Sequence, residues 1–107
     1  MTTLASIVPD LVAEVGAALA SQGRGDLVPQ LAEGILKCCT YDASVDAGYI
    51  FLVRPAHLTR LPHPVAETIP FLEVGFNVDI AHDGCLFGIE ILHRLDFFSQ
   101  LRKANAL

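Results

Sequence analysis

The sequence predicts an α+β domain: an N-terminal αα-hairpin, a five-stranded antiparallel meander sheet and a C-terminal helix. Three observations carry this. Apolar residues recur every three or four positions up to Lys37, then every second position from Cys38 to Leu92. Asp83-Gly84 joins two strand-like runs, which is the strongest short-range hairpin signal. Sequential strands with short turns give a meander, and helices segregated from strands give an α+β domain. At 107 residues the chain reads as one domain, with a helical extension (1–37), a sheet (38–92) and a C-terminal helix (93–107).

In the first helix, Leu4–Ala20, an apolar stripe runs through Leu4, Val8, Leu11, Val12, Val15 and Leu19. Pro9 fits a first helical turn, where its missing N–H costs nothing. Gly16 weakens the interior by about 1 kcal/mol relative to Ala, which suggests close helix packing. Gly23-Arg24-Gly25 ends this helix, and Asp26 caps a second that runs to about Lys37 with Leu27, Leu31, Ile35 and Leu36 inward. Arg24-Gly25-Asp26 spells an adhesion tripeptide, but it sits where a helix connection needs a turn and a cap. Val8-Pro9-x-Leu11 recurs as Val28-Pro29-x-Leu31, and this reads as two helices each starting with proline rather than as a duplication.

The first strand is Cys38–Asp42, followed by a turn at Ala43–Asp46. The second, Ala47–Arg54, puts Ala47, Tyr49, Phe51 and Val53 on one face and Gly48, Ile50, Leu52 and Arg54 on the other; both faces are apolar, so both need covering. Pro55–Pro64, with three prolines and two histidines, reads as an irregular loop. Val65–Phe71 is the third strand, with Pro70 suiting a strand end or an edge. Gly75–Leu92 supplies the last two. Phe76, Val78 and Ile80 share a face opposite Asn77, Asp79 and Ala81; Cys85, Phe87, Ile89 and Ile91 share one opposite Leu86, Gly88, Glu90 and Leu92. A two-residue turn pairs His82 with Cys85, Ile80 with Phe87, Val78 with Ile89 and Asp79 with Gly88. The C-terminal helix, about Leu95–Asn105, buries Leu95, Phe98 and Leu101 and places Arg102 and Lys103 at its negative end.

Hydrophobic residues make up 52% of the chain, charged residues 18%, and mean hydropathy is +0.48. This is more apolar surface than one small core hides, and the expected outlet is a homo-oligomer, a dimer above all, or a protein partner. Net charge is −5, and the seven Lys and Arg form no basic stripe, which argues against nucleic acid. The N-terminus has no basic segment before its apolar run, and no 18-residue apolar span occurs, so neither a signal peptide nor a membrane segment is expected. Cys38, Cys39 and Cys85 show no disulfide framework and read as free thiols in a reducing cytoplasm.

Three phrases carry a family resemblance: Tyr41-Asp42-Ala43-Ser44-Val45-Asp46-Ala47-Gly48-Tyr49-Ile50, then Val65-Ala66-Glu67-Thr68, then Val78–Leu92 with Asp83-Gly84 leading into Gly88-Ile89-Glu90-Ile91-Leu92. Their order and spacing over about residues 39–92 resemble the small bacterial domain of unknown function 2283 family. The resemblance implies a small antiparallel sheet and no established activity. The chain departs from that pattern in its helical N-terminal extension and its longer proline-rich loop before Val65. Gly48 also stands where the family often has a larger residue, which suggests a bulge or close packing against the added helices.

The polar residues within these phrases, Asp42, Asp46, Glu67, Asp79 and Glu90, are the candidates for an acidic cluster serving a metal or acid/base chemistry, with His93 as a possible companion. Each also has a structural role available. Asp42 and Asp46 suit a turn, and Asp79 and Glu90 share a hairpin face as diagonal neighbours, solvated or paired with Arg54 or Arg94. The four histidines, His57, His63, His82 and His93, form no ligand-spaced pair, so zinc requires them to converge with Cys85 or Glu90, and a thiol nucleophile requires Cys–His adjacency. Gly84 and Gly88 do not open a helix after a strand, so no nucleotide loop and no cofactor is expected. No catalytic set emerges. The expected function is a non-enzymatic, self-associating or protein-binding module. The alternatives are a small ligand- or metal-binding protein or enzyme using the acidic and His residues, and an antitoxin-like acidic partner of a small basic protein.

Overall fold

The computed structural model describes residues 2–107. Its elements are helix α1 (Leu4–Ile7), α2 (Pro9–Ser21), α3 (Val28–Glu33), strands β1 (Ile35–Asp42), β2 (Ala47–Val53), β3 (Val65–Phe71), β4 (Phe76–Ala81), β5 (Leu86–Leu92), and helix α4 (Leu95–Lys103). The α+β class and the five-stranded antiparallel sheet follow the sequence expectation.

Pro9 splits the first helix. A residue before proline is pushed out of the helical region, and Val8 sits at φ −130°, ψ 68° between α1 and α2. The second helix is shorter than expected. It stops at Glu33, and Gly34 at ψ 124° turns the chain straight into β1, so Ile35–Lys37 belong to the sheet rather than to a helix. Thr3 bridges Ile35, so the first residues of the chain extend the start of β1.

The sheet order is β1-β2-β5-β4-β3, which corrects the expected meander. β3, β4 and β5 do form successive hairpins, but β5 returns to the middle of the sheet and pairs with β2. The segment 54–64 therefore crosses from the central β2 to the far edge, giving β2–β5 a Greek-key path. The physical reason is burial. β2 and β5 are apolar at six and five of their seven positions, and side-by-side placement puts both away from the edges.

All helices pack on one face of the sheet. Leu4, Val8, Leu11, Val15, Leu19, Leu27, Leu31, Phe97, Phe98 and Leu101 form one buried cluster with Ile50, Leu52, Phe76, Val78, Ile80, Leu86, Ile89 and Ile91. In α4 the buried residues are Phe97, Phe98 and Leu101, whereas Leu95, expected inside, is 54% exposed. Leu95 opens the helix, one turn too early to reach the sheet. Gly48 is explained by α4 rather than by the N-terminal helices: the Phe98 ring lies directly over it and stacks on Tyr41 at 4.4 Å.

Three β-bulges interrupt the ladders, at Lys37, Ala66 and Phe87. The third changes the predicted hairpin. Asp79 pairs with Gly88 and Val78 with Ile89 as expected, but Ile80 pairs with Leu86 instead of Phe87. An extra residue reverses the side-chain alternation. Leu86 thus joins the core, and Phe87 turns to the opposite face.

Candidate functional site

The face away from the helices holds Tyr49, Phe51 and Val53 from β2, with Phe87 brought over by its bulge. All four are half-buried rather than covered. Tyr49 packs on Phe51 with ring centroids 4.5 Å apart, and Phe87 meets the two edge-on at 6.4 and 6.0 Å. Gly88 makes room for this. A Cβ there would stand 2.3 Å from the Tyr49 ring, so the ring lies flat across the glycine.

A polar row continues the aromatic patch. Tyr49 Oη donates to Asp79 Oδ2 at 2.5 Å, and Thr68 Oγ1 donates to Asp79 Oδ1 at 2.5 Å. Asn77 Nδ2 donates to Glu90 Oε1 at 2.8 Å, while Asn77 Oδ1 is buried without a partner. Burial first, and the bond to Asp79 second, push the Tyr49 phenol far above its ordinary range. Asp79 and Glu90 thus share a face as expected, yet neutral donors satisfy them. Arg54 pairs with Glu33 at 3.0 Å, and Arg94 with Glu14 at 2.6 Å and Asp96 at 3.2 Å.

The remaining acidic candidates lie elsewhere. Asp42 accepts from the Ser44 hydroxyl at 2.6 Å and backbone N–H at 2.9 Å, which hold its carboxyl below the usual range and fix the turn after β1. Asp46 and His93, both in the left-handed region at φ 49° and 58°, form a corner where the His93 N–H donates to the Asp46 carbonyl at 2.7 Å. Tyr41 Oη donates to the Asp46 carboxylate at 2.7 Å, and His93 Nδ1 stands 3.8 Å from it. Glu67 points to the helical side and pairs with Arg24 at 3.1 Å, and Arg24 also holds Asp26 at 3.3 Å, so the tripeptide serves the helix connection.

Among the described residues, one trio of His, Cys, Asp or Glu side chains brings its ligand atoms within 4.8 Å of one another: His57, Asp83 and Cys85. Sequence reading named the required Cys–His convergence without finding it. His57 and Cys85 are 28 residues apart, and only the crossover segment brings them together. His57 ends a 3₁₀ turn, Pro55–His57, and its Nδ1 lies 3.9 Å from Cys85 Sγ. Asp83 Oδ1 accepts the Cys85 N–H at 3.0 Å, which shapes the hairpin tip, and His63 Nε2 stands 3.8 Å from Asp83 Oδ2. The Arg54 guanidinium, bonded to Glu33 at 3.0 Å, also borders this site. A cavity of about 80 Å³ opens beside the trio, lined also by Lys37, Arg60, Phe51 and Phe87. Gln30 of α3 fixes the hairpin from behind: its Oε1 accepts the Leu86 N–H at 2.9 Å, a donor in the bulged stretch of β5.

Compared with protein-family models, curated proteins and solved structures, the chain matches none. The resemblance to the domain of unknown function 2283 family rests on its three phrases alone.

Proposed function

We propose that the protein is a non-enzymatic module that pairs with a second copy of itself through the open sheet face. One observation carries the reading: every helix lies on the opposite face, and Tyr49, Phe51, Val53 and Phe87 are left half-exposed. A sheet face with such a centre and a rim of Thr40, Thr68 and Glu90 matches the apolar-core, polar-rim anatomy of interfaces. Five strands at about 4.8 Å spacing and seven residues at about 3.4 Å rise give a face of about 570 Å². Two such faces bury on the order of 1,000 Å², the lower bound for a specific interface. Face-to-face sheets pack at about −30°, and a twofold axis through the aromatic centre sets Phe51 against its own copy.

Light scattering coupled to size exclusion, in chelator-containing buffer at micromolar concentration, tests this. A dimer is expected, and Phe51→Lys converts it to a monomer with unchanged circular dichroism. A monomeric wild-type protein, or a dimer that survives Phe51→Lys, overturns the reading.

A further inference from the structure

We propose that His57, Asp83 and Cys85 bind a single divalent transition-metal ion, zinc by the chemistry of the donors, with a fourth coordination position open to the adjoining cavity. Imidazole nitrogen, thiolate sulfur and carboxylate oxygen are the three donor types that zinc accepts together. With Zn–S about 2.3 Å and Zn–N about 2.0–2.1 Å, tetrahedral ligand atoms of those kinds stand about 3.6 Å apart. His57 Nδ1 and Cys85 Sγ are 3.9 Å apart, and all three ligand atoms lie within 4.8 Å, so contraction of about 1.4 Å at most closes the site.

The surroundings hold the donors in place. Asp83 and Cys85 leave one hairpin tip, locked by the Asp83 Oδ1 to Cys85 N–H bond, which leaves Oδ2 for the ion. His57 is anchored by its own N–H to the Arg54 carbonyl at 2.8 Å. Around the ligands, Arg54 lines the same cavity and His63 Nε2 stands 3.8 Å from Asp83 Oδ2, near enough for a small shift to make it the outer partner that orients a metal ligand. Thiolate and carboxylate together neutralise the dication, which removes its conflict with Arg54, Lys37 and Arg60. The cavity of about 80 Å³ exceeds the ~15 Å³ of free space that one water requires, so the fourth position takes water or a small anion that Lys37 and Arg60 attract.

Cobalt(II) titration of the reduced, full chain tests the site. One equivalent is expected to give the visible bands of a tetrahedral ion and a near-ultraviolet sulfur-to-cobalt charge-transfer band, and zinc displaces both. Cys85→Ser abolishes the charge-transfer band, and Cys38→Ser with Cys39→Ser leaves it intact. His63→Ala weakens zinc affinity by about 10–100-fold, and His57→Ala weakens it further. Azide shifts the visible bands through the open position. Should a variant fail to fold, the wild-type protein still decides: zinc protects one thiol from alkylation, and peptide mapping identifies it as Cys85. Absence of stoichiometric binding, a charge-transfer band that survives Cys85→Ser, affinity indifferent to His57→Ala, bands indifferent to azide, or protection of Cys38 or Cys39 instead overturns the proposal.

Discussion

Gly48 and Gly88 are places where the sheet yields a side chain so that a ring can lie on the backbone, under Phe98 on one face and under Tyr49 on the other. A Cβ at Gly48 would stand 2.2 Å from the Thr40 carbonyl oxygen and 2.6 Å from the Phe98 ring. The backbone oxygen cannot swing aside as a side-chain tip can, so Gly48→Ala should cost about 1–3 kcal/mol as an overpacked site, read as a lower denaturation midpoint. The two tyrosines give an alkaline signature. The bond to Asp46 raises Tyr41, and burial followed by the bond to Asp79 raises Tyr49. The folded state therefore keeps phenol protons that the unfolded chain releases near pH 10. This stabilisation is complete below pH 10 and is lost as pH climbs toward the folded values. Melting temperature should fall above pH 10, with no phenolate absorbance before unfolding, and Tyr49→Phe should lessen the slope.

Within α2, Gly16 does not mark a tight crossing. Its added Cβ would meet Leu31 Cδ2 and Val28 Cγ1 at 3.9 Å, an ordinary contact. Gly16→Ala should therefore stabilise the fold by about 1 kcal/mol, seen as a melting temperature higher by several degrees. The junction of β5 and α4 is held differently, by Arg94. Its guanidinium makes a two-pronged pair with Glu14 at 2.6 and 3.1 Å, donates to the Val74 carbonyl at 3.0 Å and to Asp96 at 3.2 Å, and lies 4.3 Å from the Phe97 ring. One side chain thus ties α2, the β3–β4 turn and the start of α4 together. Arg94→Ala should cost about 2 kcal/mol by equilibrium denaturation, and Arg94→Lys should recover only part of it, because an ammonium cannot span Glu14 as the fork does. Arg94 also holds the Asp96 carboxyl below its ordinary value. That contribution is full above about pH 4 and disappears as pH falls through the folded value, so Arg94→Ala should flatten the acid side of the stability profile.

For the molecule as a whole, the sequence was most legible where one local rule sufficed. The stripe Leu4, Val8, Leu11, Val15, Leu19 is buried as its spacing demands, and Asp83-Gly84 turns the chain between β4 and β5. It was least legible where the decisive contact joins distant segments. Nothing local reveals that β5 pairs with β2, because neighbouring order is the default and only two-sided burial displaces it. The Phe87 bulge is equally silent, since strict alternation reads just as well. The candidate acidic residues scatter for a related reason. Each has its own partner, among Ser44, Arg24, Asn77 and the Tyr and Thr hydroxyls, and no two share one. His57 and Cys85 lie beyond any spacing rule, since only the crossover juxtaposes them.

That crossover divides the chain into two halves that meet along a hydrogen-bonded ladder as well as through the connecting segment. Residues up to the 3₁₀ turn supply α1–α3, β1 and β2; those after Pro64 supply β3–β5 and α4. Their seam is the β2–β5 ladder from Ala47↔Leu92 to Phe51↔Gly88, backed by the helical core. Arg60 and Leu61 are exposed, Leu61 at 90%, in the arm between them. Brief trypsin treatment should cut after Arg60 and leave two pieces that co-elute as one particle, and the separated pieces should recombine when mixed. The protein is thereby suited to serve as a split reporter, cleaved at one point and reassembled through its own central seam.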